Sequence, residues 1–384
     1  MAMLQESSTM QSITLLIKPS SYHCNLHCSY CFYKRVEGIY PGKDRFMALD
    51  TARGLIRKTL ALGCPDNRFC WQGGEPSLLG IEFFQEIVRY QREIVRQGQT
   101  ITNTFQTNGT LIDELWADFF YNNQFLVGLS LDGPRSVHDH YRRFGSGKGT
   151  YHLVMQAAKL LTARGVQFNI LTLLTDANIT DPLALYQFFR ENGLTHLQFI
   201  PCVEWDPVTK ASMPFSISAQ ALGQFYCDLF DVWMRDGFFN MSIRAFEDIL
   251  IYYIDHVYLS CTQAQRCNSY LLVEHNGDVY PCDFFVYPEW KLGNIVTGSL
   301  GDIVVNPLRH EFAMLKAELP EACKECDWLQ FCQGDCLKFR RDDHGGFGGL
   351  SVLCTAQRML MEHMAPHLPS IKQRALRFRS ANAG

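Results

Sequence analysis

The chain has 384 residues, 47% hydrophobic and 19% charged, with a formal net charge of -4. That length allows two or three domains or one barrel with an appendage, and the composition is that of a folded chain. The slight negative charge provides no basic field for nucleic acid, and no run approaches the roughly 18 apolar residues of a membrane span, so neither a dedicated DNA or RNA binder nor a transmembrane protein is expected.

The chain begins MAMLQESSTMQ, without the basic start and apolar run of a signal peptide, and a cytoplasmic location is expected. In a reducing cytosol fifteen cysteines are better used as metal ligands than as disulfides, and their odd count argues against complete pairing.

From residue 13 to about 201, short apolar or β-branched runs alternate with amphipathic segments, the pattern of repeated β-α units. Strands are expected at 13–18, 68–72, 101–106, 126–131, 166–174 and 196–201, with helices such as 50–62, 81–96, 151–164 and 181–191 between them. Right-handed parallel crossovers make this a barrel or a doubly wound sheet. The first five strands lead into a cysteine loop, GGEP, QTNGT, SLDGP and LTDAN, and in parallel α/β folds that edge carries the chemistry. A helical stretch over about 217–258 precedes a region of short elements, many cysteines and turns. The expected division is 1–235, a connector at 236–260, and a cysteine-rich domain at 261–384. Within it, 270–275 and 278–280 read as a hairpin joined by a type I′ turn at Asn276-Gly277. The one short glycine-rich segment is 345–349.

Cys24, Cys28 and Cys31 form C-x3-C-x2-C directly after the first strand. Three thiolates on a 4Fe-4S cluster leave one iron open to a small molecule, as an open position marks a catalytic zinc. Spacing alone also admits a zinc knuckle with a distant fourth ligand. Eight more cysteines follow residue 260, enough for two zinc sites or two 4Fe-4S clusters, and their local spacing does not choose between these.

The cysteine loop resembles that of the radical S-adenosylmethionine superfamily, whose cluster motif follows the first strand of a partial (β/α)6 TIM-like barrel. The resemblance implies that Cys24, Cys28 and Cys31 hold a 4Fe-4S cluster whose unique iron is chelated by the amino and carboxylate groups of S-adenosyl-L-methionine. Cluster reduction of that cofactor then gives methionine and a 5′-deoxyadenosyl radical. It also implies that Tyr30 lies by the adenine, that Gly73, Gly74 and Glu75 of GGEP bind the methionyl amino group, that Ser130 and Arg142 meet the ribose or carboxylate, and that the backbone near Val203 meets adenine.

The later pattern, C-x5-C, C-x14-C, C-x2-C-x5-C-x3-C and C-x17-C, resembles the SPASM extension of peptide-modifying radical enzymes. By that resemblance Cys261, Cys267, Cys282 and Cys336 hold one auxiliary cluster and Cys323, Cys326, Cys332 and Cys354 a second, making three [4Fe-4S] clusters in all. Asp335 departs from the family's usual glycine in C-x-G-G-C and puts the local turn in question. Cys64, Cys70, Cys202 and Cys227 have no paired spacing and read as buried apolar residues without a role.

Over nearly its whole length, through LLIKP, CSYCFY, WQGGEPSL, FQTNGTLID, FLVGLSLDGP, LQFI, VYPCDFFV and LGNI, the chain is similar to the anaerobic sulfatase-maturating enzymes. The resemblance implies oxidation of a cysteine or serine of a sulfatase to Cα-formylglycine. The radical takes a β-hydrogen, a base takes a proton, and an electron leaves through the auxiliary clusters. Asp283 occupies the position of the proposed base, and Gln72 is a candidate for holding the peptide backbone. The implied partners are a sulfatase or other peptide and an electron donor such as flavodoxin or ferredoxin. The alternative is a maturase that installs a crosslink in a ribosomally synthesised peptide with the same clusters.

Overall fold

The computed structural model of the protein describes residues 10–42, 45–206, 208–237, 240–340 and 346–381. Most of the N-terminal segment MAMLQESSTMQ, and Gly345 of the glycine-rich stretch, lie outside them. Among the described residues no helix is long and apolar enough to cross a membrane.

Seven strands run parallel in chain order: β1 (Ser12–Lys18), β2 (Asp66–Trp71), β3 (Thr100–Thr107), β4 (Leu126–Ser130), β5 (Phe168–Leu174), β6 (His196–Pro201) and β7 (Ser242–Ile243). Alternate side chains such as Ile13, Leu15 and Ile17 of β1, or Phe69 and Trp71 of β2, are buried in the core, as the period of two in a strand requires. The crossover helices are α1 (Leu49–Ala61), α2 (Ile81–Ile94), α3 (Glu114–Asn122), α4 (Arg135–Tyr141), α5 (Tyr151–Ala163), α6 (Pro182–Glu191), α7 (Ala219–Asp236) and α8 (Arg244–Asp255). Side-chain caps fix several starts: Asp113 accepts from the Trp116 amide, Asp181 from Ala184 and Ser218 from Ala221. The aromatic layer of Phe84, Phe105, Trp116 and Phe120 joins α2 and α3 to the sheet.

The expected helical stretch at 217–258 is interrupted by β7, whose Ser242 and Ile243 pair with His196 and Leu197. The sheet does not end at the expected domain boundary either. β8 (Leu271–Glu274) pairs in parallel with β1, and β9 (Asp278–Tyr280) and β10 (Gly293–Asn294) follow antiparallel, giving one open ten-stranded sheet in the order β10-β9-β8-β1-β2-β3-β4-β5-β6-β7. The cysteine-rich region is thus grafted onto the free edge of β1.

The hairpin is real, but its turn is not type I′. That turn needs positive φ at both central residues, whereas among the described residues Gly277 is left-handed (φ 86°) and Asn276 is not. The Gly277 amide donates to Glu274 O at 2.9 Å, and Asn276 is held by its side chain, whose Oδ1 accepts from the Asp278 amide at 3.0 Å. A three-residue loop ending in a left-handed glycine results, because this side-chain bond stabilises the alternative backbone.

Candidate cofactor and cluster site

The loop after β1 turns tightly through Ser21 N to Lys18 O (3.0 Å) and His23 N to Ser20 O (2.8 Å), delivering Cys24, Cys28 and Cys31 to the C-terminal edge of the sheet. Cys28 is buried and Cys31 exposed, and the three thiols act electrostatically on one another. Burial pushes Cys24 up to about 12 and Cys28 up to about 11. Crowded thiolates in such a place need cationic compensation, which fits a metal cluster. The all-sulfur donor set suits iron-sulfur or zinc chemistry.

The loop after β2 is clipped to this cysteine loop. Glu75 N donates to His23 O at 2.9 Å and Ser20 Oγ donates to Gly73 O at 2.7 Å. Gly73 and Gly74 have φ of 91° and 52°, and a Cβ on Gly74 would lie 2.1 Å from His23 O, so only glycine permits the approach. Glu75 has no exposed surface. Its carboxylate accepts from Ser77 N (3.1 Å), Ser77 Oγ (2.7 Å), Thr107 Oγ1 (2.8 Å) and Asn108 N (2.7 Å). Burial raises its pKa and these bonds pull it back. Three of these bonds converge on Oε1 and one reaches Oε2, so Oε2 keeps a lone pair for a further donor, beside the backbone of Gly73 and Gly74 at the edge of the site. Gln72 lies just beyond β2, half-buried, with its amide on Ile17 O at 2.8 Å.

Tyr30 and Arg142 converge on Asp132, a residue of SLDGP that received no separate assignment from the sequence. Tyr30 Oη donates to Asp132 Oδ2 at 2.6 Å, and Arg142 donates from Nε at 2.8 Å and from Nη2 at 3.0 Å. The guanidinium lies over the Tyr30 ring, 5.6 Å from its centre. Burial alone would raise the Asp132 carboxyl, but the Arg142 charge and hydrogen bonds hold it below the ordinary range. Ser130 is buried at the end of β4, and Val203 just past β6. Cys202, although given no role, packs beside Cys28, Tyr30 and Phe215.

The later cysteines fall into two groups by their mutual charge interactions. Cys261, Cys267, Cys282 and Cys336 are linked in one, and Cys323, Cys326, Cys332 and Cys354 in the other, the same groups that the spacing resemblance assigns. Among the described residues no His, Cys, Asp and Glu side chains converge closely enough to hold a single metal ion. The Asp335 departure is accommodated: Asp335 is left-handed (φ 65°) and its own Oδ1 accepts from the Cys336 amide at 2.7 Å.

Asp283, half-buried after Cys282, stands between the two cysteine regions. Its Oδ2 faces Lys18 Nζ at 3.4 Å, and its Oδ1 accepts from Tyr270 Oη at 3.0 Å. Tyr270 Oη also lies 3.1 Å from Cys282 Sγ. Lys18 is itself buried, with its ammonium over the Tyr33 ring at 4.3 Å. Lys18 and Asp132 sit inside the segments LLIKP and SLDGP, so the signal for them was present in the sequence, while Tyr270 carried none.

The radical SAM superfamily pattern matches residues 19–189, and an iron-sulfur cluster-binding domain, SPASM, matches residues 261–327. A serine-type anaerobic sulfatase-maturating enzyme of Bacteroides thetaiotaomicron is 35% identical over 94% of this chain and 91% of its own. A cysteine-type anaerobic sulfatase-maturating enzyme of Clostridium perfringens is 35% identical over 94% of this chain and 99% of its own. Among solved structures, native anSMEcpe with bound AdoMet and Cp18Cys peptide superposes with a TM-score of 0.88 at 34% identity, covering 94% of this chain and 99% of that one.

Proposed function

The chain belongs to the anaerobic sulfatase-maturating enzymes of the radical S-adenosylmethionine superfamily, and from that membership we propose that it oxidises a cysteine or serine side chain of a sulfatase polypeptide to Cα-formylglycine. Relatives of both target types are equally similar to it, so the reading covers both. The observation that carries the reaction is Asp283. Its carboxylate is fixed by Lys18 and Tyr270 next to a ligand of the first auxiliary group and is drawn to the barrel edge by the pairing of β8 with β1.

In this reading Cys24, Cys28 and Cys31 hold the cluster that leaves one iron for the cofactor, and the two later cysteine groups hold two further 4Fe-4S clusters. When bound, S-adenosylmethionine supplies the 5′-deoxyadenosyl radical that removes a hydrogen atom from the target side chain. The Gly73-Gly74 backbone and the Glu75 carboxylate receive the methionyl amino group, with the bonds to Ser77 and Thr107 holding Glu75 in place. Tyr30, Ser130, Arg142 and Val203 line the nucleoside side, where Asp132 fixes both the ring of Tyr30 and the guanidinium of Arg142. Gln72 holds the peptide backbone. Asp283 accepts the proton lost from the target, and the remaining electron leaves through the auxiliary sites to a carrier such as flavodoxin or ferredoxin.

The test is anaerobic reconstitution followed by incubation with peptides carrying Cys or Ser in an x-P-x-R context and dithionite. The serine peptide is expected to lose two hydrogens in step with 5′-deoxyadenosine release. Release of 5′-deoxyadenosine with neither peptide changed in mass overturns the sulfatase assignment and turns attention to a crosslinked peptide.

A further inference from the structure

Two cations are buried beside the later cysteine groups. Lys316, on the helix Pro307–Ala317, and Arg340 both have no exposed surface. Their hydrogens go to neutral carbonyls: Lys316 Nζ donates to Cys261 O (3.0 Å) and Thr262 O (2.6 Å), and Arg340 donates to Lys316 O (2.7 Å), Gly349 O (3.4 Å) and Glu318 O. The carboxylate acting on both is Asp335, and its oxygens are taken by Ser351 Oγ and the Cys336 amide, each at 2.7 Å. Among the described residues, then, two buried positive charges face one buried carboxyl, with the exposed Glu318 carboxylate also acting on Arg340, and no close ion pair. Such an arrangement is unfavourable unless further negative charge is nearby.

That negative charge is available where the cysteines ligate as thiolates. Lys316 interacts with Cys261, Cys267 and Cys336, three members of the first group, and Arg340 interacts with Cys323 of the second group and Cys267 of the first. A 4Fe-4S cluster with four thiolates is a net anion and becomes more negative on reduction, so a fixed cation beside it favours the reduced form and raises its potential.

We propose that Lys316 and Arg340 are built-in counter-charges for the auxiliary clusters. Lys316 makes the first cluster a better acceptor for the electron leaving the target, and Arg340, which faces both groups, eases its passage to the second. The inference rests on the cluster assignment proposed above. Both residues act through the clusters and are positioning residues.

The test is an anaerobic redox titration of the full reconstituted chain, followed by paramagnetic resonance, for wild type and the variants Lys316→Met, Lys316→Arg, Arg340→Met and Arg340→Lys. K316M is expected to lower the potential of the first auxiliary cluster, R340M to lower both, and the charge-keeping variants to stay nearer wild type. Fully loaded Met variants with wild-type potentials overturn the proposal, as does a K316R shift as large as that of K316M. Should the Met variants fail to take up iron, normal loading of K316R and R340K supports the need for charge, and failure of all four assigns the residues to folding and overturns it. Wild type holding only about four irons, the content of one cluster, instead of roughly twelve would refute the three-cluster reading, a result distinct from any of these.

Discussion

The loop after β1 and the region after residue 260 both gather thiols, but the protein surrounds them differently. Around Cys24, Cys28 and Cys31 stand groups that fix one another in place: Glu75 with four accepted hydrogen bonds, and Tyr30 and Arg142 locked on Asp132. Around the later eight stand two buried cations whose partners are carbonyls. The first arrangement sets fixed polar groups beside three thiols, whereas the second surrounds sets of four thiols with charge. Three thiols with a shaped neighbourhood fit a reactive site, and four with positive charge fit electron storage.

The strongest way to break this contrast is to remove one cysteine from each side. Cys28→Ala is expected to reduce 5′-deoxyadenosine formation to background. Cys336→Ala is expected to keep that step while formylglycine turnover fails, with both products read by chromatography and mass measurement. Equal loss of both products in both variants would erase the division of labour. Asp283→Asn comes next, lowering formylglycine formation by roughly 100- to 10,000-fold, the usual scale for a general base, with cofactor cleavage preserved in a single-turnover assay.

Asp132→Asn sharpens the first region. It leaves Arg142 buried without its charge partner and is expected to cost about 3–5 kcal/mol in denaturant unfolding. Because the folded Asp132 pKa is lowered, its contribution is present above the ordinary value of 3.8 and is lost as pH falls through the folded value. The gap between wild type and D132N should therefore narrow in acid, and a gap that widened there would contradict the ion pair. Glu75→Gln turns an amide donor toward groups that already donate and is expected to cost about 1–3 kcal/mol, together with weaker S-adenosylmethionine binding by calorimetry. The smallest effect is expected for Glu204→Gln. It removes the charge that pairs with Lys338, which links the rim beyond β6 to the later cysteine region, at about 1–2 kcal/mol. A melting shift no larger than that of an exposed surface pair would remove this tie from the account.

Much of the first region was legible. The six expected strands are present, and C-x3-C-x2-C, GGEP and SLDGP lie at the ends of β1, β2 and β4 because the β-α repeat brings those ends to one edge. Asp132 was visible as a letter within SLDGP, but its place beneath Tyr30 was not, since Tyr30 lies 102 residues away. The type I′ turn expected at Asn276-Gly277 is not formed because a side-chain bond to the Asp278 amide outweighs the dipeptide's local preference.

By itself the sequence determined the kinds of ligand, their spacing and the alternation of strand and helix, since hydrophobic periodicity and local motifs are properties of neighbouring residues. Only the tertiary structure decided that β8 joins the edge of β1, and with it that Lys18 meets Asp283 across 265 residues. The same holds for the burial of Lys316 beside the first group of thiols and of Arg340 facing both. Such contacts follow from strand pairing and long-range packing, where the charge a residue faces is set by how the chain closes on itself rather than by what flanks it.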